Sequence, residues 1–297
     1  MGASFLRVLI VGALCTLAAR ECAAHFAGEG YAHAAFDAGL AIVLVASGGL
    51  YARGVARLWR KAGVARGISI ADTTRFALGM TVVAAALVSP LDALADRSFA
   101  AHMVEHELLM VLAAPLLVGG RPLEAWAWGL SAPMRWRFAA LAAAPAFRRG
   151  WQALSRPVAA TTVHALALWL WHVPRLFAAA QANLPLHVLQ HVCFFSSALV
   201  FWWAMFGGAS RVAAPVSLAC LFATMLHTSV LGALLAFAPA PAFGPVPGAD
   251  VFGLGALEDQ QLGGLIMWVP GGLAYIAAAL LVVDAWLAEP RLRRGVR

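Results

Sequence analysis

Residues 101–120 read AHMVEHELLMVLAAPLLVGG. The stretch has the length and apolarity of a membrane-crossing helix, yet its first turns carry His102, Glu105, His106 and Glu107. Ionisable groups at membrane depth are costly and mark a site or a water-filled cavity. His102, Glu105 and His106 stand at i, i+3 and i+4, so they share one helix face. Such a face can hold a cation or move a proton, and the rest of the chain is read for what meets it.

Composition sets the class. Of 297 residues, 62% are apolar and 12% charged, and the mean hydropathy is +0.81. A soluble domain carries far more charge, so the chain reads as all-α, a polytopic membrane helix bundle. Abundant Ala, Gly and Leu argue for helices over an outer-membrane barrel. The net charge of +7 follows from 21 basic and 14 acidic residues. Its placement fits membrane topology, with no nucleic-acid partner. Cys15, Cys22, Cys193 and Cys220 show no CxxC spacing, so neither a thiolate metal site nor a redox pair is indicated.

Residues 1–24 hold one early arginine, a short apolar run and small residues at 22 and 24, which fits a secretory signal cleaved after Ala24. The rival is an extra helix, and Arg20 and Glu21 count against it. Residues 25–33 form an outer segment before a membrane domain at 34–288. Within it, seven spans are expected at about 34–52, 73–90, 101–120, 157–176, 186–206, 213–237 and 262–286. Basic residues crowd the loops after the first, third and fifth spans and the tail (Arg53 to Arg75, Arg121 to Arg156, Arg211, Arg291 to Arg297). Only Arg97 and Arg175 fall on the other side. The excess predicts an outer N-terminus after processing and a cytoplasmic C-terminus. Segment 121–156, with Trp126, Trp128, Trp136 and Trp151 among arginines, reads as cytoplasmic interfacial helix in contact with the lipid bilayer. The Pro- and Gly-rich loop 238–261 is expected to have no core of its own.

With that topology, five histidines reach one outer level on three helices. His102 and His106 open the third span, His172 closes the fourth, and His187 and His191 open the fifth at i and i+4. Asp259, Gln260 and Gln261 start the last span at the same level. A single His near a helix end commonly serves as an anchor or a hydrogen-bonding group. Two His-x₃-His pairs and a fifth His at matched depth point to a metal or cofactor. The run His-x-x-Glu-His also matches the inverted zinc-protease pattern, with His102 and His106 as ligands and Glu105 as base. Glu105 and Asp259 are expected to orient ligating imidazoles through their other nitrogen. His164 and His227 lie deeper and remain open as haem ligands, proton-path members or partners of neighbouring Ser or Thr. His25, which cleavage after Ala24 would make the N-terminus, and His33 are accessory copper ligands in this reading.

Several stretches together resemble a known family, the CtaG-type assembly factors of caa3-type cytochrome c oxidase. They are HMVEHELLMVLAAPLLVGGRP at 102–122, LWHVPRLFAAA at 170–180, HVLQHVCFFSSALVFWW at 187–203, LGALLAFAPAP at 231–241 and DQQLGGLIMWVPGG at 259–272. They cover spans three to seven, while the first 100 residues match only in general character. The resemblance implies a seven-helix protein of the bacterial cytoplasmic (inner) membrane that is needed to make active oxidase by supplying copper to its metal centres. It implies cytochrome c oxidase subunits or other assembly factors as partners. The family's motif histidines fall on His102, His106, His172, His187 and His191, and Glu107 is a departure at a position expected to be apolar.

The residues agree with copper without requiring it, since imidazoles also suit zinc, iron and nickel. The leading reading is a non-enzymatic copper-handling chaperone for oxidase assembly. The alternatives are a haem-b membrane electron carrier and, third, an intramembrane metalloprotease.

Overall fold

The computed structural model describes residues 29–207, 214–243 and 252–294. The signal-peptide reading of 1–24, His25, Arg211 and Arg297 lie outside the described residues, as does the His33 side chain. The described chain folds into helices, with no strands among the described residues.

In chain order the helices are α1 (Glu29–Ala62), α2 (Ile70–Leu87), α3 (Pro90–Ala95), α4 (Phe99–Gly119), α5 (Pro122–Gly129), α6 (Ala132–Ala143) and α7 (Pro145–Leu154). Then come α8 (Pro157–Trp171), α9 (Pro174–Ala182), α10 (Leu184–Trp202), α11 (Ala214–Ala236) and α12 (Ala256–Arg294). Six of them are long and apolar enough to cross a membrane. The expected fourth span, 157–176, is interrupted: α8 stops at Trp171 after 15 residues, about 22 Å. The cause is Pro174, which bars the preceding residue from helical geometry and starts a new helix at N1. Prolines likewise open α3, α5, α7 and α8.

Segment 121–156 divides into two kinds of helix. α6 and α7 bury none of their residues, and they carry Arg135, Arg137, Arg148 and Arg149. α5 departs from the interfacial expectation, since it buries Leu123, Ala125 and Trp126 against α1. Arg57 fixes that packing by donating from Nη1 to the carbonyls of Trp128, Gly129 and Leu130, the orphaned acceptors at the end of α5. Helix α12 starts at Ala256, six residues earlier than expected, which shortens the preceding loop. Gln260 binds the loop on both sides, accepting from Ala242 N at 2.6 Å and donating to Leu235 O at 3.4 Å.

α4 is the hub, packed against α2, α10 and α12. Its middle, Leu108–Ala113, is a π-turn rather than regular α-helix. Pro115 gives the local reason: it cannot donate to the carbonyl four residues back, and its ring crowds that carbonyl. The buried Trp202 donates from Nε1 to Met110 O at 2.8 Å and meets a carbonyl of the irregular turn. α11 and α12 form the closest long pair because Gly232 and Gly264 face each other. A Cβ on Gly264 would lie 2.5 Å from Ala236 N and 2.6 Å from Gly232 O, too near backbone atoms to be absorbed.

Candidate functional site

The N-terminal end of α4 is held by a carboxylate from the far end of the sequence. Asp259 Oδ1 accepts from Ser98 Oγ at 2.7 Å and from Ala100 N at 3.1 Å, and Oδ2 accepts from Phe99 N at 2.6 Å. Ser98 Oγ in turn accepts from Ala101 N at 3.2 Å. The first N–H groups of a helix have no intrahelical partner, and a negative charge there also meets the positive end of the helix dipole. Both oxygens of Asp259 are thereby engaged by the start of α4. Its bonds go to the helix end, whereas the sequence suggested that it would orient a ligating imidazole.

One turn further on, the rings converge. His102 and His106 stand 4.1 Å apart between ring centroids. His187 lies 5.2 Å from His102, and His191 lies 5.8 Å from His102 and 4.9 Å from His106. His187 and His191 are 4.6 Å apart. Two i, i+4 pairs from α4 and α10 thus make one four-ring cluster. His172 stands one ring removed. It packs against Phe194 at 5.8 Å and Phe177 at 6.5 Å, which in turn touch His106 at 4.7 Å and His102 at 5.6 Å. His164, two turns below His172 on α8, and His227 on α11 are not part of the cluster.

The α4 pair is unusual for buried polar groups. His102 and His106 are 0% and 1% exposed, and none of their four ring nitrogens has a hydrogen-bond partner. Buried polar groups are nearly always paired, and leaving one unpaired costs about 1–3 kcal/mol. His172 and His191 are oriented by backbone. His172 Nδ1 meets Leu168 O at 2.7 Å and His191 Nδ1 meets His187 O at 3.1 Å. A carbonyl only accepts, so each Nδ1 carries the hydrogen and Nε2 faces away from the backbone as a potential donor atom to a cation. His191 Nε2 is 3.1 Å from Glu105 Oε1, the length of a hydrogen bond without its alignment. An incoming cation would meet both the imidazole and the carboxylate there.

Among the described residues, no three His, Cys, Asp or Glu side chains already surround a common point as metal ligands. The donor chemistry nonetheless fits a cation: four imidazoles beside one carboxylate, those of His102 and His106 with unpartnered nitrogens, on helices that fix their spacing. The sequence did not single out Phe177, Phe194 or Gln190. The two phenylalanines wall the cluster, and Gln190, 1% exposed with an unpartnered Nε2, stands beside His191 on α10. Its i, i+3 spacing from His187 was the available signal for Gln190.

The family model of the cytochrome c oxidase caa3 assembly factor (Caa3_CtaG) matches residues 49–289, which include the whole cluster. The chain belongs to that family. No curated protein and no solved structure matches it. Membership makes the chain a membrane-embedded cytochrome c oxidase caa3 assembly factor. The matched range begins inside α1, so His25 and His33 fall before it. In this assembly factor the four-ring cluster joins the buried His102 and His106 to the half-buried His187 and His191, with His172 behind two phenylalanines.

Proposed function

We propose that this assembly factor binds copper at the histidine cluster on the outer side of the cytoplasmic membrane and passes it to cytochrome c oxidase subunits or to a partner factor. His102, His106, His187 and His191 hold the ion, His172 joins them or supports them through Phe194, and Glu105 steadies His191. Copper is cargo here, so the protein needs ligands that let go. Imidazoles on rigid helices, without a thiolate, suit that task. The observation that carries the reading is the pair His102 and His106, fully buried with four unpartnered ring nitrogens.

The ring contacts favour an ion over haem b. Rings whose centroids lie 4.1–5.8 Å apart leave no slot for a macrocycle between them. The protease reading is disfavoured because Glu105, its general base, is 0% exposed and already faces His191. The test is metal content of the protein purified from copper-supplied membranes, beside a His102→Ala, His106→Ala double variant. Copper in the native protein and its loss in the variant support the reading. Equal copper in both removes it, and a Soret band in the native protein would replace it with haem.

A further inference from the structure

One flank of the His102 ring is covered by hydrocarbon. Phe177 on α9 meets that ring edge-on at 5.6 Å and 83°. Behind Phe177 stand Phe99 on α4 at 5.4 Å and Phe243, from the chain that follows α11, at 4.4 Å. Phe99 and Phe243 stack on each other at 5.0 Å and 15°, so the three rings close a triangle. Burial falls along this series: His102 is 0% exposed, Phe177 1% and Phe99 3%, while Phe243 is partly buried. Phe99 and Phe177 are carried on helices, whereas Phe243 sits in irregular chain. That chain is pinned by consecutive residues of α12. Gln261 Nε2 donates to Ala238 O at 3.2 Å, and Gln260 Oε1 accepts at 2.6 Å from the N–H of Ala242, the residue before Phe243. Gln260 is buried, and its Nε2 donates back to Leu235 O in the last turn of α11. Asp259, beside them, holds the N–H of Phe99. The Asp259-Gln260-Gln261 run thus places two of the three rings.

We infer that Phe243 controls exchange at the buried His102 and His106 pair, and that Gln260 is its positioning residue. The four ring nitrogens of that pair have no partner, and water reaching them would supply one. An apolar cover keeps water out and leaves those lone pairs for an ion that has shed its own water. The role in copper exchange rests on the copper reading above, whereas the cover itself does not. Phe243 is the ring of the three that moves at least cost. Displacing it breaks two ring contacts and the hold of Gln260 on Ala242, whereas displacing Phe99 or Phe177 disturbs a helix. The other approach to the cluster runs past His187, which is half-buried on α10. Labelling of His187 and His102 in one protein therefore tells the two approaches apart.

The experiment labels the full-length protein, in lipid nanodiscs and without copper, with diethyl pyrocarbonate, and reads each histidine by mass spectrometry. An imidazole lone pair attacks the reagent's carbonyl and expels ethyl carbonate, so labelling reports access to a ring nitrogen. Phe243→Ala removes two aromatic contacts, and at the usual strength of such pairs labelling of His102 should rise about tenfold. Gln260→Ala should raise it as well. Gln260→Glu keeps an oxygen for Ala242 N and should return labelling toward the native rate. His187 should label alike in every variant. Native labelling of His102 in both Phe243→Ala and Gln260→Ala overturns the inference and places entry beside His187. A joint rise at His102, His187 and the buried His164 also overturns it, since that pattern is a loosened bundle. A second arm loads Cu(I) anaerobically and follows its loss to a membrane-impermeant chelator. Phe243→Ala should release copper about tenfold faster at unchanged stoichiometry. Faster labelling with unchanged release overturns the control of exchange by Phe243. A native protein that takes up no copper refutes the copper reading, while the labelling result still decides whether Phe243 covers His102.

Discussion

Replacing Asp259 by alanine tests the clasp between α12 and the start of α4. The substitution leaves the N–H groups of Phe99 and Ala100 and the hydroxyl of Ser98 without their acceptor, at a site where Asp259 is 3% exposed. Each orphaned buried donor costs about 1–3 kcal/mol. Ser98 still caps Ala101 and water can enter the space, so the low end applies and the sum is about 3 kcal/mol. At roughly 2–4 °C per kcal/mol for a domain approaching this size, the apparent melting temperature in detergent should fall by about 6–12 °C. Asp259→Asn keeps one acceptor oxygen and should fall between the two. The assay is thermal unfolding of the purified variants by intrinsic fluorescence, at one scan rate because membrane proteins unfold irreversibly. A variant that melts with the native protein but binds less copper would refute the clasp. It would return Asp259 to the ligand-orienting role that its position in the sequence suggested.

His106→Ala and His191→Ala should each abolish oxidase maturation while leaving the level of this protein near normal, measured as oxidase activity and copper content per unit of membrane-borne factor. Glu105→Gln should weaken copper retention without eliminating it, since the amide still reaches His191 but brings no charge, and dialysis of loaded protein reads the difference. Trp202→Phe removes the donor to Met110 O and should lower stability by about 1–2 kcal/mol, seen as an earlier thermal transition. Gly264→Leu should force α11 and α12 apart and yield an aggregated or poorly expressed protein on size-exclusion chromatography, because the atoms it would meet are backbone.

The helical membrane architecture was readable from the chain because it is written in long apolar runs and in the absence of charge within them. The four-ring cluster was foreshadowed too, since i, i+4 pairs at one depth need only adjacent helices to meet. What escaped the sequence depends on contacts between distant residues. Asp259 looked like a partner for an imidazole because both sit at one level, but only packing reveals that α12 crosses the end of α4. The interruption at Pro174 was visible, yet its effect on α8 was missed because an apolar run of sufficient length was read through it. α5 resembled a surface helix by its tryptophans, whereas Arg57 and the backbone of α1 draw it into the bundle. Phe177 and Phe194 are ordinary apolar residues in sequence, and only their position between His172 and the other rings makes them part of the site.

The irregular turn in α4 makes the heading of the histidines a matter of counting. Each residue of a regular helix advances about 100° around the axis and about 1.5 Å along it. The wider turn at Leu108–Ala113 absorbs one residue more than a regular helix of the same rise. Deleting a single residue there would let the turn close to regular helix, with both halves keeping their headings. The same deletion in the regular turn below, Ala114–Gly119, would swing the upper half by about 100°, carrying His102 and His106 away from α10. Nothing in overall hydropathy or span length would register the difference. The compass bearing of this helix is thus buffered at one turn and fixed by residue count at the next, and the position of a one-residue gap decides whether the cluster survives it.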